Sequence, residues 1–506
     1  MRITNQMIQN NSLNNIAVNK KQMSTLDTQL STQKKISRPS EDPIVAIRAL
    51  RLRTSLDEVS QYLDKNIPDA SSWLDVTEGA LTEVDSILSD VYQYCVQGST
   101  DTLALSERKI IRDSIEELRE AIYSQGDVDY AGRYVFTGFR TNDSLTFQTE
   151  EDLADGDYTI TQEFDANAFD FKDVTEGTNA LDQMISRVQT EGDTFVQTLT
   201  TGGIQDVSND VVSNQVHRLR LAYTDISQDN FEIYDGNGNP ISYAFQTSSS
   251  QVPGDNEVLL NANTGELLFG QAVYEDVMNS LATEGNKISI TYDKDTFVQG
   301  DVKPEHYFNC VQTKADGTQL TYTNTEEGQD ISYIVNFNQK LKVNSEAKDV
   351  LTTDIGRDID DIFEAVDRSI ASEERLTSLK ELKDNPNYSD DTSQANLDAL
   401  IAAAEKELAY YNDTLQKTFE AGITKMQNHQ EAIDIGIADI GNRMKRLELT
   451  ETRLKEQKTN FTELKSNNED IDLEEIVIDY SSAELVYNSS LTAASKVVRQ
   501  TLLDFI

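Results

Sequence analysis

Both ends of this 506-residue chain carry apolar residues at alternating steps of three and four, the spacing of a coiled-coil seam. The N-terminal seam runs from Val45 to Cys95 and is broken only by Thr77, and the C-terminal seam runs from Ile423 to Phe461. Patterns of this length predict long helices that pack in pairs. The predicted seam residues are Leu52, Leu56, Val59, Leu63, Leu81, Val84, Leu88, Ile433, Ile440, Leu447 and Leu454.

A second apolar stripe follows Asp472 and Glu475, which have the spacing of a capping box. This predicts an assembly helix whose apolar face also suits a chaperone groove. The first 40 residues carry a weaker stripe, so we expect them to be disordered in the monomer and to order against partners. The residues of the C-terminal stripe are Val477, Tyr480, Tyr487, Leu491, Val498, Leu502 and Phe505.

The middle of the chain changes period. Segments such as DYTITQEF, NFEIYDGNGNPISYAF, NKISITYDK and DISYIVNFNQKLKVN alternate in polarity and predict strands and hairpins. Helices are expected around Met184 and Met278, and a connection at 374–396. Pro68 should kink or interrupt its helix.

The predicted fold class is therefore α+β, with a long coiled-coil domain formed by both termini and a β-rich central insertion. We expect an N-terminal export and assembly segment at 1–40. The two halves of the helical domain are expected at 41–140 and 355–506, with an acidic centre at 141–354 between them.

The charge is concentrated in the centre of the chain. The formal net charge is -44, of which residues 141–410 hold -34, while 1–140 and 411–506 hold -4 and -6. Such acidity argues against nucleic acid or an anionic membrane as a partner. No apolar run in the sequence reaches membrane-spanning length, and we expect no cleavable secretory signal.

Residues that could carry catalysis are scarce. The chain has 3 histidines and 2 cysteines, and they form no HExxH or CxxC motif. The loop at Asp235 begins like a calcium loop, but Pro240 and Gln246 replace the required glycine and glutamate, which favours a hairpin turn. We therefore expect that the protein is not an enzyme and has no cofactor and no metal site. Cys95 is expected to be a buried apolar residue.

Three passages of the chain carry recognisable motifs: the loop SRPSEDP at Ser37–Pro43, the turn GRYVFTG at Gly132–Gly138, and the C-terminal sequences NRMKRLELTETRLKEQKTNFTEL and SSAELVYNSSLTAASKVVRQTLLDFI. Together these passages resemble the flagellin family. The resemblance covers roughly residues 1–140 and 355–506. The loop residues that carry it are Arg38, Pro39, Asp42, Pro43, Gly132, Phe136 and Gly138.

The resemblance implies a structural protein of the bacterial flagellum, secreted by the flagellar type III pathway and located outside the cell. The short SRPSEDP loop and the LLDFI end favour a junction ring between hook and filament, built by coiled-coil packing of the terminal helices. The implied partners are further copies of the chain in the ring, hook-associated protein 1, flagellin and an export chaperone, with no nucleic acid and no membrane insertion.

Two alternatives stay open at this point. The chain could be a flagellin, the subunit of the filament itself. It could also display a glycan-binding module on the flagellum, with exposed tyrosines as the contact residues. The tyrosines considered for that role are Tyr234, Tyr243, Tyr274 and Tyr307.

Overall fold

A computed structural model describes residues 5–100, 103–176, 211–324 and 328–503. Long helices occupy both ends of the chain, and short helices connect the strands between them. The helices are α1 (Asn5–Thr32), α2 (Pro43–Gln61), α3 (Ile67–Gly98), α4 (Leu105–Ser124), α5 (Glu150–Ala154), α6 (Gln271–Leu281), α7 (Ala347–Val350), α8 (Thr353–Lys383), α9 (Asp391–Glu469) and α10 (Leu473–Leu503).

The strands all lie between α4 and α7. They are β1 (Asp129–Tyr130), β2 (Arg133–Tyr134), β3 (Asp157–Phe164), β4 (Phe169–Glu176), β5 (Val212–Arg220), β6 (Glu232–Tyr234), β7 (Ala244–Phe245), β8 (Val258–Asn261), β9 (Glu266–Phe269), β10 (Ile288–Lys294), β11 (Asn309–Thr313), β12 (Gln319–Tyr322), β13 (Ser332–Asn336) and β14 (Gln339–Lys342).

Two five-stranded sheets organise these strands. The first has the order β12-β11-β3-β10-β6 with antiparallel neighbours throughout. The second has the order β4-β5-β9-β8-β7, in which only β7 and β8 run parallel. Burial alternates along β10, as expected when one face of an antiparallel sheet covers a core. The pairs β1–β2 and β13–β14 form separate hairpins.

The chain divides into two compact units. Unit 1 contains residues 1–71, 333–341 and 444–506, and unit 2 contains residues 72–332 and 342–443. Unit 1 is therefore formed mainly by the two ends of the chain. Unit 2 holds both large sheets, α4 to α8 and the helical segments that pack beside them.

Close approaches show how α3 and α9 pack within unit 2. A Cβ atom at Gly436 would lie 3.5 Å from Leu81 Cδ1, and one at Gly422 would lie 3.1 Å from Cys95 Sγ. Residue numbers therefore rise along α3 while those of the neighbouring residues on α9 fall, so the two helices run antiparallel. The seams pair within one chain in this unit.

The structure confirms the α+β fold class, with helices at both ends and strands between them. The helix expected around Met278 is α6, and the segment around Met184 lies outside the described residues. The prediction of a non-helical connection at 374–396 was wrong for most of that segment. Helix α8 continues to Lys383 and α9 begins at Asp391, because apolar residues such as the buried Leu379 extend the helical face.

Pro68 lies directly after a π-helical turn at Tyr62–Asn66. The backbone N–H of Ile67 bonds to the carbonyl of Tyr62, five residues back, instead of four. Proline has no N–H to donate, so the hydrogen bond to the carbonyl four residues back is missing at Pro68, although α3 runs through this position. The expected interruption therefore takes the form of a single wider turn between α2 and α3.

Candidate assembly surfaces

The predicted seam residues are buried wherever the helices pair closely. In unit 2, Leu81, Val84, Leu88, Ile433 and Ile440 lie on α3 and α9, and all are buried. The break in the seam, Thr77, is also buried, and its hydroxyl donates to the carbonyl of Trp73 at 2.8 Å. This local hydrogen bond satisfies the polar atom, so a threonine is tolerated in the apolar face.

The seam continues in unit 1 with partial exposure. Val59, Leu63, Leu447 and Leu454 are buried, whereas Leu52 and Leu56 are half-buried. Ion pairs accompany this segment of the seam: Lys458 Nζ lies 2.8 Å from an Asp64 oxygen, on α9 and the π turn respectively. The two ends of the chain are thus held together by apolar contact with charges at the rim.

The SRPSEDP loop sets the start of α2. The Asp42 carboxylate accepts hydrogen bonds from the backbone N–H groups of Ile44 at 2.9 Å and Val45 at 3.1 Å, and Pro43 occupies the first turn. An acceptor at the N-cap followed by proline is a strong helix start. Arg38 and Pro39 are exposed. The second half of the motif, Asp42 and Pro43, therefore forms the start of α2.

A cluster that the sequence did not reveal lies beside this loop. Arg53 of α2 makes two hydrogen bonds with the Glu469 carboxylate, from Nε at 2.8 Å and from a terminal nitrogen at 2.6 Å. Lys34 pairs with Asp470, and the Lys35 N–H donates to the Glu469 carbonyl at 2.7 Å. The hydrogen bond from Arg53 lowers the pKa of Glu469. This cluster ties the end of α9 to the loop after α1.

The GRYVFTG turn carries two positions that favour glycine. Gly132 has φ +76° and Gly138 has φ +61°, in the left-handed region where other residues are strained. Phe136 between them is buried, and its carbonyl accepts from Ala347 N–H at 2.9 Å. The guanidinium of Arg133 lies 4.9 Å from the centre of the Trp73 ring on α3. The turn therefore packs onto the helical part of unit 2.

The terminal helices α1 and α10 pack against each other but bury little. Of the predicted stripe, Tyr480 and Tyr487 are half-buried, whereas Val477 and Leu491 are 48% and 41% exposed. Asn19 Nδ2 donates to Ser490 Oγ at 2.9 Å across this pair. The side chains of Val498 and Leu502, and all of Phe505, lie outside what the structure describes. The stripe remains a prediction as an assembly and chaperone surface.

A network of charges in unit 2 joins the second sheet to two helices. Arg218 of β5 contacts Asp170 at 2.6 Å, Glu266 at 2.7 Å and Asp361 at 2.8 Å. Neighbouring pairs extend it through Lys172 to Glu266 and through Arg220 to Asp361 and Asp358, and Lys425 and His429 of α9 also reach Asp358. Sequence analysis missed it because its members come from five separated elements.

Two carboxylates of this network, Glu266 and Asp361, stay ionised despite their burial. Burial alone would raise the pKa of Glu266, but the Lys172 and Arg218 cations outweigh it and lower the pKa to about 2. Burial opposes ionisation of Asp361 too, yet Arg218 and Arg220 hold its pKa well below the usual range. Charges buried this way are paired on all sides, so the network fixes the sheet against the helices.

A metal-like cluster within the network is already occupied by protein cations. Oxygens of Glu266, Asp361 and Glu364 lie within 4.8 Å of one another. Lys172 Nζ sits 2.6 Å from Glu266 and 2.7 Å from Glu364. The positive charge that such a trio calls for is supplied by this lysine and by Arg218.

The cysteines and tyrosines considered at first take structural positions. Cys95 is buried, as expected, and burial raises the pKa of its thiol to about 12. The expectation that Tyr307 could be an exposed glycan contact was wrong. Its side chain is buried, and its hydroxyl donates a hydrogen bond to the Leu351 carbonyl at 2.8 Å. Tyr234, Tyr243 and Tyr274 are half-buried, and Tyr274 stacks on His217.

No helix within the described residues is both long and apolar enough to cross a membrane.

Comparison with known proteins gives a family match for the N-terminal part of the chain. Residues 3–141 match the family described as the bacterial flagellin N-terminal helical region, and this range includes both the SRPSEDP loop and the GRYVFTG turn. The match supports the resemblance read from those two motifs: residues 3–141 are similar to the helical region of that family.

More particularly, the chain is similar to flagellar hook-associated protein 3. It is 26% identical over 168 residues to the protein of that name from Salmonella typhimurium, an alignment that covers 33% of this chain and 52% of the relative. The chain thus spans about half the length of that relative. It is also 30% identical over 122 residues to a flagellin of Clostridium tyrobutyricum, covering 24% of this chain and 32% of the flagellin.

A solved structure of the flagellar junction protein FlgL from Legionella pneumophila aligns with 84% of this chain and 100% of its own length. The TM-score is 0.27 at 10% identity. With so low a TM-score and identity, this alignment does not support any conclusion about the fold or the function.

Proposed function

We propose that this chain is a structural protein of the bacterial flagellum that forms the junction ring between hook and filament. The observation that carries the proposal is the pairing of the two ends of the chain in unit 1, where α1 packs on α10 and Arg53 of α2 binds Glu469 of α9. Residues 3–141, which supply one side of this pairing, match the flagellin N-terminal helical region. The role is structural and requires no catalytic centre.

The distribution of charge supports ring formation by unit 1. Unit 1 carries 19 acidic and 19 basic side chains, whereas unit 2 carries 69 and 25. Copies of a neutral unit can pack closely, while a strongly acidic unit repels its own copies and stays in solvent. In this proposal the parts of the helical domain that lie in unit 1 form the contacts of the ring, and the acidic centre expected at 141–354 faces solvent.

The proposed partners follow from this position. Copies of the chain form the ring, hook-associated protein 1 contacts it on the hook side, and flagellin contacts it on the filament side. The chain would reach this extracellular site by flagellar type III export.

Before export, we propose that a chaperone binds the C-terminal stripe that begins at Val477. Exposed aliphatic residues on an amphipathic helix are the anchors that helix-binding grooves use. Binding of the export chaperone should be lost in a chain that lacks residues 470–506. Unchanged affinity in that shortened chain would contradict the chaperone proposal.

The number of copies per flagellum tests the junction role. A ring protein is present in a fixed number, whereas a filament subunit increases with filament length. Flagella collected at successive times of filament regrowth should contain a constant amount of this chain per hook while flagellin rises, as measured by quantitative mass spectrometry. An amount that rises with length would identify a filament subunit, and absence from flagella would contradict both assignments.

A further inference from the structure

The first turns of α2 present large aliphatic side chains and arginines to solvent. The exposed fraction is 66% for Ile44, 53% for Ile47 and 60% for Leu50. Arg48 and Arg51 are exposed, and neither has an ion-pair partner among the described residues. At 3.6 residues per turn these five side chains fall within an arc of about 160°, opposite the buried alanines of the helix. They are called the α2 patch below.

The first half of α10 carries a patch of the opposite charge. The exposed fraction is 69% for Leu485, 66% for Ile478 and 48% for Val477. Glu474 and Glu484 are exposed, and within the described part of the chain neither forms an ion pair. These five side chains, called the α10 patch, span an arc of about 120° beside the surface that packs on α1.

The two patches are complementary in chemistry. Each combines three exposed aliphatic side chains with two charges that form no ion pair with any described residue of the same chain, basic on α2 and acidic on α10. Exposed apolar area of this kind marks a protein contact, and charges of opposite sign set its orientation. We propose that the α2 patch of one copy binds the α10 patch of a second copy of this chain.

Two arguments favour a second copy as the occupant. Unit 1 holds both patches and equal numbers of acidic and basic residues, so two such units meet without net repulsion. The patches also differ from each other, so the contact is heterologous and leaves one patch of each copy free for the next. Repetition then builds a ring or a helical stack. The inference rests on the proposed function, and it names the contact by which one junction subunit binds its neighbour.

Charge reversal in the full-length chain tests the contact. One variant carries R48E and R51E, and the other carries E474K and E484K. Sedimentation velocity over a concentration series should show self-association of the wild type and at least about a tenfold weaker association constant for each variant alone. An equimolar mixture should recover association, since the native patch of one variant meets the native patch of the other and the two reversed patches also match.

A matched control reverses two exposed lysines of unit 1 outside both patches, K445E with K455E. This control should associate like the wild type, because it changes the net charge as much as the first variant does but leaves the α2 patch intact. A wild type that stays monomeric, variants that associate as well as the wild type, or a mixture no stronger than its components would each overturn the inference. So would an α10 patch that binds only the export chaperone.

Cross-linking gives a second readout. The native thiols of Cys95 and Cys310 are buried, so engineered surface cysteines report alone. A chain with I47C and I478C should form disulfides between copies under mild oxidation, whereas I47C with L449C should not, although Leu449 is 58% exposed. Equal cross-linking of both chains would overturn the inference.

These outcomes are separable from those of the proposed function. Charge reversals without effect on association would contradict only the contact. Absence of the chain from flagella would contradict the junction role and leave the measured association as it stands.

Discussion

Units 1 and 2 use charge in opposite ways. Unit 1 balances 19 acidic with 19 basic residues, while unit 2 holds the entire net charge of -44. The terminal helices of unit 1 leave most of their apolar side chains exposed, whereas unit 2 buries its largest side chains and pairs its buried charges. The comparison teaches that the unit with the weaker core of its own is the one electrostatically suited to pack against copies.

The first prediction concerns local stability in the monomer. Amide hydrogens of α1 and α10 should exchange at least about a thousandfold faster than those of α3 between Leu81 and Cys95, because few apolar contacts protect the terminal helices. Hydrogen exchange with mass spectrometry measures both in one sample. Strong protection of residues 7–35 in the monomer would erase the contrast between the units and contradict the expected disorder of 1–40.

The second prediction tests the buried network of unit 2. Arg218→Leu leaves Glu266 and Asp361 without a main partner in the interior, which should lower the free energy of unfolding by about 3–5 kcal/mol. Arg112→Leu is the matched control, since Arg112 also contacts carboxylates but at half-exposed or exposed positions, and it should cost about 1 kcal/mol or less. Equal losses in urea unfolding would show that the network has no special role.

The third prediction compares a leucine from each unit. Leu81→Ala should destabilise the chain by about 2–5 kcal/mol because the side chain is fully buried between helices. Leu485→Ala removes a side chain that is 69% exposed and should change monomer stability by about 0.5 kcal/mol or less. Denaturant unfolding at one pH compares them directly. A large loss at Leu485 would indicate that α10 has a core in the monomer after all.

The fourth prediction concerns pH and unit 2. Burial, helped by Arg140, lowers the pKa of His306 to about 3. Below the ordinary histidine pKa of about 6.5 the unfolded chain binds a proton that the folded chain does not, so stability should fall by roughly 2–3 kcal/mol between pH 6.5 and 4.5. Glu266, with its pKa lowered to about 2, adds a further loss only at still lower pH.

Urea unfolding of His306→Gln isolates this effect. The variant should lose most of the slope between pH 6.5 and 4.5, and His217→Gln should keep it. Glu305 acts in the opposite direction, since burial raises its pKa, but it is present in all three chains and cancels in the comparison. A slope that survives in His306→Gln would assign the acid sensitivity to other groups.

The fifth and smallest effect lies in unit 1. Arg53→Ala should cost about 1 kcal/mol, because Arg53 is half exposed even though its partner Glu469 is buried. The loss should appear as faster amide exchange in the loop at residues 33–38, whose backbone bonds to the end of α9. If amide exchange in that loop does not change, the loop does not depend on the contact between Arg53 and the end of α9, and the prediction is wrong.

Local patterns were sufficient to predict much of this fold. Heptad spacing identified α3 and α9, and the capping signal at Asp472 predicted where α10 begins. These features depend on residues within a few turns of each other, so a sequence displays them directly. The pairing of the seams within one chain needed the structure, because a heptad pattern does not say which helix it meets.

The charged network shows why the rest was hidden. Arg218, Glu266 and Asp361 come from β5, β9 and α8, and no spacing along the chain marks them as neighbours. The strand order of the second sheet pairs β5 with β9, which are not consecutive in sequence, and this brings Arg218 beside Glu266. Similarly, Pro68 predicted an interruption of the helix, but the sequence did not predict that it would take the form of the π turn at Tyr62–Asn66.

The most direct test of the junction role is immunogold labelling of intact flagella with an antibody against residues 145–350. The account predicts a single band of label at the hook–filament boundary, which would place the acidic unit on the outer surface at that position. Label along the whole filament, or no label on flagella, would contradict it.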